Sequence, residues 1–136
     1  MEKIKTFIVE DSSVVRENLI AALHENAPIE VIGMAEDEAS AVAWLTDPTH
    51  DCELLIVDIF LHAGTGIGVL QGIGRTAGNV TKVVLSNHAT PEIRAKCLEL
   101  GADEVFDKSN ELEAMLAFCN RMREDAIETT VPAATL

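Results

Sequence analysis

Charged and hydroxyl side chains follow several apolar runs of this chain, where they could bind a cation or take part in catalysis. Glu10 and Asp11 follow "IKTFIV", and Asp58 follows "ELLIV". Ser86 ends "TKVVLS", and Lys108 comes shortly after "DEVF". A carboxylate beside so many apolar residues is costly unless something compensates its charge. Three carboxylates brought together would repel one another, and an all-oxygen cluster of this kind suits Mg²⁺.

The pattern of apolar residues predicts five strands that alternate with helices. The predicted strands cover residues 4–9, 29–35, 53–57, 81–86 and 103–106. The last predicted helix runs from about Asn110 to Arg123, with apolar residues on one face at Leu112, Met115, Leu116, Cys119 and Met122. Continuous apolar strands separated by helices favour a parallel sheet covered on both faces. Sites in such sheets form at the carboxyl ends of the strands, so the side chains above should meet at one edge.

The third helix is predicted to be the weakest element. Its stretch, "GIGVLQGIGRTAGN" from residue 66 to 79, contains Gly68, Gly72 and Gly74 in what would be the helix interior. Each glycine costs about 1 kcal/mol relative to alanine at such a position. We therefore expect this helix to be short or mobile.

Length and composition narrow the classes of protein. The chain has 136 residues, enough for one domain with its own core, and a formal net charge of −13. That charge disfavours binding to nucleic acid, which depends on Lys and Arg. The three cysteines are far apart and predict neither a disulfide framework nor a zinc site. No apolar run is long enough to span a bilayer and no signal pattern opens the chain, so we expect a cytoplasmic protein.

Four motifs, in this order, resemble the receiver domain of two-component response regulators. They are "VEDSSVVR", "LLIVDIFL", "VVLSNHA" and "ADEVFDKS". The resemblance implies a flavodoxin-like, doubly wound α/β fold, with a five-stranded parallel sheet of order 2-1-3-4-5 and helices on both faces. We assign the receiver domain to residues 1–124 and expect a tail over 125–136 that is frayed or adds a helical turn.

The resemblance also implies roles for the residues at the strand ends. In this family an Asp after the third strand accepts a phosphoryl group, and here that residue is Asp58. Glu10, Asp11 and Asp58 would hold Mg²⁺ together with the backbone carbonyl of Phe60. Lys108 would contact the phosphoryl oxygens. The protein would promote its own phosphorylation and dephosphorylation without turning over a separate substrate.

Further positions would respond to the phosphoryl group or tune its lifetime. Ser86 would bond the attached group, and Phe106 stands where the family has an aromatic switch residue. Phe60 and His88 lie two residues beyond the acceptor and the serine, where they would border the phosphoryl group. Many receivers have a proline in a cis peptide after the lysine, whereas this chain has Ser109.

The implied partners are a sensor histidine kinase or a histidine phosphotransfer protein, and an unknown downstream protein. The downstream protein would bind the face formed by the fourth helix, fifth strand and fifth helix. Only thirteen residues follow Arg123, so we expect a stand-alone receiver without an output domain. No nucleic-acid or membrane partner is expected, and both a monomer and a homodimer remain open.

Three other interpretations were weighed. The main alternative is a receiver-like interaction module that is never phosphorylated. Nucleotide binding is disfavoured because no Asp or Glu occurs from residue 59 to 91 to bind a ribose. A phosphatase of the dehalogenase type needs an Asp-x-Asp motif, and Phe60 occupies the second Asp position.

Overall fold

A computed structural model describes residues 2–74 and 79–135 of the chain, and it describes side chains up to residue 123. One parallel sheet contains five strands: β1 (Ile4–Val9), β2 (Ile29–Ala35), β3 (Leu54–Val57), β4 (Thr81–Ser86) and β5 (Glu104–Asp107). Their order is β2-β1-β3-β4-β5. Both the predicted fold class and the predicted strand order are confirmed.

Four helices connect the strands: α1 (Ser13–Asn26), α2 (Glu38–Thr46), α3 (Gly66–Ile73) and α4 (Pro91–Glu99); a further helix, α5 (Leu112–Thr135), follows β5. The first four begin in the same way. Ser12, Asp37, Thr65 and Thr90 each accept a hydrogen bond from the amide three residues later. These caps satisfy amide groups that have no partner inside the helix, and they fix where each helix starts.

The two faces of the sheet carry separate apolar clusters. Leu55 and Val57 face a cluster that includes residues of α2, α3 and α4, whereas Leu54 and Ile56 face α1 and α5. All four side chains of β3 are therefore buried, which explains its unbroken apolar sequence. Trp44 of α2 stacks on a phenylalanine of β1 with ring centroids 4.1 Å apart.

The lengths of α3 and α5 bear on predictions made from the sequence. α3 has eight residues, in agreement with the short helix that was predicted, and residues 75–78 of the predicted stretch lie outside the described residues. The backbone of α5 continues to Thr135, so the predicted end near Arg123 was too early. The apolar stripe stops there, but "REDAIE" is rich in good helix formers. Leu136, the last residue of the predicted tail, lies outside the described residues.

No helix in the described part of the chain is long and apolar enough to cross a membrane.

Candidate functional site

The carboxyl edge of the sheet gathers the charged residues that follow β1, β3 and β5. The amides of Glu10, Asp58 and Lys108 each donate to a carbonyl of the neighbouring strand at 3.0 Å. The three residues thereby extend the hydrogen-bonding pattern of the sheet by one position. Their side chains project from the same edge, as the sequence predicted.

Lys108 binds two carboxylates at once. Its Nζ lies 2.5 Å from Glu10 Oε1 and 2.9 Å from Asp58 Oδ2. The three side chains are only 14 %, 3 % and 9 % exposed, in the order lysine, glutamate, aspartate. Burying these charges costs desolvation free energy that the ion pairs offset, so removing one partner would leave a buried charge uncompensated.

Burial and hydrogen bonding shift the pKa values of Glu10 and Lys108 in opposite directions. Burial raises the pKa of Glu10, and this outweighs the lowering by Lys108 and by the amide of Ser12, which donates to Glu10 Oε2 at 3.1 Å. Burial alone would lower the pKa of Lys108, but its hydrogen bonds to Glu10 and Asp58 prevail and the net shift is upward. Lys108 therefore stays charged at neutral pH.

The donor set fits a hard divalent cation. Glu10, Asp11 and Asp58 each offer a carboxylate oxygen, and these oxygens all lie within 4.8 Å of one another. Asp11 is partly exposed, and His62 Nε2 approaches its Oδ2 to 3.5 Å. Oxygen ligands of this kind, open to water on one side, suit Mg²⁺. The predicted fourth ligand, the carbonyl of Phe60, stays a prediction.

Two rings stand at the rim of the cleft that contains Asp58. Phe60 is half exposed, and its ring meets that of His88 edge to face, with centroids 5.7 Å apart and planes at 87°. The amide of Phe60 donates to Asp58 Oδ1 at 3.3 Å. The cleft is lined by Glu10, Ser12, Val15, Asp58, Phe60, Asn87, His88 and Lys108. The two residues predicted to border a phosphoryl group thus lie side by side at the rim of the cleft that contains Asp58.

The two predicted switch residues do not line this cleft. Ser86 is fully buried, and its Oγ accepts a hydrogen bond from the amide of His88 at 3.2 Å. Phe106 is 7 % exposed and pairs in register with Leu85, the neighbour of Ser86. Its ring lies 6.1 Å from that of Phe118 in α5. Phe106 therefore packs on the α5 side of the sheet, whereas the hydroxyl of Ser86 holds the loop that follows β4.

Sequence reasoning did not anticipate how the loop after Asp58 is held. The amide of Gly66 donates to the carbonyl of Ile59 at 2.8 Å, and Thr65 forms a β-bridge with Phe60. A Cβ atom on Gly66 would overlap the carbonyl oxygen of Asp58. A signal was available, since Thr65 is a good helix cap directly before the apolar run of α3.

Arg94 of α4 forms a second network that the sequence did not reveal. It donates to the carbonyls of Ala89 at 3.0 Å and Val105 at 2.8 Å, and to Glu111 Oε1 at 2.5 Å. The same oxygen accepts from the amide of Asp107 at 2.9 Å. The hydrogen bond from Arg94 is the main reason that the pKa of Glu111 is lowered. The network joins the loop after β4, the end of β5 and the start of α5.

The peptide between Lys108 and Ser109 is trans, as is every peptide bond in the described ranges. The side chain of Asp107 accepts from the amide of Ser109 at 2.8 Å and also from its hydroxyl. This turn fixes the backbone on both sides of the lysine.

Comparisons with known proteins agree with this geometry. The response regulator receiver domain profile matches residues 6–120. A protein-glutamate methylesterase/protein-glutamine glutaminase of Rhodopseudomonas palustris is 33% identical over 128 residues, which cover 90% of this chain and 34% of the relative. A probable transcriptional regulatory protein of Picosynechococcus is 27% identical over 94% of this chain and 53% of its own length. The chain thus spans between a third and about a half of these two relatives.

Solved structures share the fold. A response regulator from Burkholderia pseudomallei, solved with a phosphorylated aspartic acid, a calcium ion and citrate, has a TM-score of 0.74 at 18% identity, covering 96% of this chain and 75% of that one. The signal receiver domain of NarL from Mycobacterium tuberculosis has a TM-score of 0.73 at 22% identity, covering 88% and 98%. The chain belongs to the response regulator receiver domain family.

Proposed function

We propose that Asp58 accepts a phosphoryl group from a sensor histidine kinase or a histidine phosphotransfer protein, in a Mg²⁺-dependent reaction. The observation that carries this proposal is the Asp58 carboxylate itself. It stands in an open cleft, with one oxygen bonded by Lys108 and the other by the amide of Phe60. Both bonds orient the carboxylate, and a nucleophile held in one geometry reacts faster than a free one.

In the proposed reaction an oxygen of Asp58 attacks phosphorus and forms a P–O bond. The P–N bond to the donor histidine breaks, and its electron pair returns to the imidazole nitrogen, which then takes a proton. Phosphoryl transfer depends mainly on positioning and on stabilising charge, and the ammonium of Lys108 lies where a phosphoryl oxygen would carry negative charge.

Glu10, Asp11 and Asp58 would hold the cation in this proposal. Bound Mg²⁺ would supply positive charge that offsets the charge of the transferring group. The Burkholderia pseudomallei relative, which carries a phosphorylated aspartic acid and a calcium ion, supports this part of the proposal.

The phosphoryl group is removed by hydrolysis. Water attacks phosphorus, the P–O bond to Asp58 breaks with its electron pair returning to the carboxylate, and inorganic phosphate leaves with the oxygen and the protons of the water. Phe60 and His88 stand beside the acceptor, and their paired rings would limit the approach of water. These two residues would therefore set how long the signal lasts.

The proposed output is a change in protein–protein contact. Phosphorylation adds up to about two negative charges at Asp58, which is enough to bias an element with two arrangements. Ser86 ends β4 and Phe106 packs against Phe118 of α5, and in this proposal the two residues carry the change to the face formed by α4, β5 and α5. We propose that the chain signals in the cytoplasm by contact between this face and a protein partner.

Intact-mass measurement tests the acceptor. The protein is incubated with Mg²⁺ and acetyl phosphate, and we expect a mass gain of one phosphoryl group that Asp58→Asn abolishes. Asp51→Asn is the matched control, because Asp51 is an exposed aspartate paired with Lys5 far from the cleft. No gain in the wild type would favour the interaction module that is never phosphorylated.

A further inference from the structure

Glu38, in the first turn of α2, forms two hydrogen bonds with the loop that follows Asp58. Its backbone amide donates to the carbonyl of Ala63 at 3.0 Å, and its Oε1 accepts from the amide of Thr65 at 2.9 Å. Two hydrogen bonds from a residue of α2 thus hold the loop between β3 and α3. Neither the motifs nor the comparisons assign a role to this residue.

The glycines around Glu38 leave space for its side chain. A Cβ atom on Gly64 would overlap Glu38 Cβ, and one on Gly68 would overlap Glu38 Oε1. Gly68 lies inside α3, where glycine destabilises the helix relative to alanine. The close contact with Glu38 explains why a residue that weakens α3 is accommodated there.

The held segment leads directly to the acceptor. Thr65, whose amide binds Glu38, forms the β-bridge with Phe60. The amide of Phe60 in turn donates to Asp58 Oδ1. Three contacts in sequence therefore connect the Glu38 carboxylate to the Asp58 carboxylate, and Phe60, whose ring stands at the rim, takes part in two of them.

We infer that Glu38 is a positioning residue for phosphorylation of Asp58. It holds residues 63–65, and through them it fixes the amide and the ring of Phe60 against the acceptor. Loss of this contact frees the loop, so that the acceptor is less well oriented and water reaches the phosphoryl group more easily. The inference rests on the proposed function.

Two substitutions separate the hydrogen bond from the rest of the side chain. Glu38→Ala removes the acceptor of the Thr65 amide, whereas Glu38→Gln keeps an amide oxygen at the same position. Glu92→Ala is the matched control, because Glu92 is likewise an acidic residue in the first turn of a nine-residue helix, α4. All variants are studied as the full chain.

Amide hydrogen exchange reports the contact, and acetyl phosphate reports the chemistry. In Glu38→Ala we expect exchange at Thr65 to rise roughly tenfold, as for the loss of one hydrogen bond. Phosphorylation should slow and the phosphoryl lifetime should shorten, each severalfold. Glu38→Gln should stay near the wild type in all three measurements, and Glu92→Ala should match it.

A double substitution tests the fit between Glu38 and Gly68. In the wild-type background Gly68→Ala should lower the unfolding temperature, because the new methyl group would displace the Glu38 carboxylate and break its hydrogen bond with the Thr65 amide. In the Glu38→Ala background the same change should raise it, because alanine favours the helix. If Gly68→Ala changed the unfolding temperature in the same direction in both backgrounds, the Glu38 side chain would not be in contact with position 68.

The outcomes distinguish this inference from the proposed function. A wild type that takes up no phosphoryl group would refute the function and the positioning role together, whereas exchange at Thr65 would still show whether the contact exists. Faster exchange in Glu38→Ala with wild-type phosphorylation rate and lifetime would overturn the inference alone. An equal loss in Glu38→Gln would assign the effect to charge and would also overturn it.

Discussion

Removing the ammonium of Lys108 should destabilise the fold and make its stability depend on Mg²⁺. Lys108→Met keeps the length of the side chain but leaves the Glu10 and Asp58 carboxylates facing each other, both less than a tenth exposed. Breaking such a buried pair costs about 3 kcal/mol. Glu10, whose pKa burial already raises, can relieve part of this by taking up a proton. For a chain of 136 residues the loss corresponds to roughly 10 °C in unfolding temperature.

Thermal unfolding in EDTA and in Mg²⁺ is the assay. In EDTA the full loss should appear, and in Mg²⁺ it should shrink, because a bound cation neutralises the same carboxylates. Lys5→Met is the control: Lys5 forms an ion pair with Asp51 of similar length, 3.0 Å, but both side chains are well exposed and little change is expected. A Lys108→Met protein that unfolds within about 2 °C of the wild type in EDTA would refute the reasoning.

Three further predictions concern the surroundings of the acceptor. Gly66→Ala should destabilise the protein by about 3 kcal/mol in urea unfolding, because the new Cβ meets the Asp58 carbonyl, and a neutral result would contradict that packing. Phe60→Asn should shorten the phosphoryl half-life severalfold, and equal half-lives would remove Phe60 as a shield. Glu111→Gln should make the free energy of unfolding fall less steeply in acid. The folded pKa of Glu111 lies below its usual 4.5, so its pair with Arg94 stabilises the fold above pH 4.5. This stabilisation is lost as the pH falls through the lowered pKa. Melting curves that shift equally at every pH from about 3 to 7 would contradict this.

Much of the fold could be predicted because its signals are local. The run Leu54–Val57 is apolar on both sides, and only a strand covered on both faces buries all four residues. The end of α5 could not be predicted in the same way. The apolar stripe that marked the helix stops near Met122, whereas the helical backbone continues to Thr135 and passes through Thr129, Thr130, Val131 and Pro132, which are poor helix formers.

The site likewise has positions that the sequence predicts and contacts that it does not. The strand-end positions of Glu10, Asp58 and Lys108 could be predicted, because parallel strands bring their carboxyl ends to one edge. The contact from Glu38 to Thr65 spans 27 residues, and that from Arg94 to Glu111 spans 17. The sequence around Glu38 and Arg94 does not indicate a partner at either of these sequence separations. Such contacts arise from packing between elements and become visible only once the elements are placed.

The ammonium of Lys108 already has two anionic partners before any phosphoryl group arrives. A phosphorylated Asp58 would therefore compete with Glu10 for this cation. The net gain from the new contact would be only the difference between old and new partners. The backbone amide of Lys108 donates to the Ser86 carbonyl, so the ammonium would change partners by a rotation of the lysine side chain alone. Part of the driving force for a conformational response would then come from the glutamate that loses its cation, as much as from the phosphate that gains one.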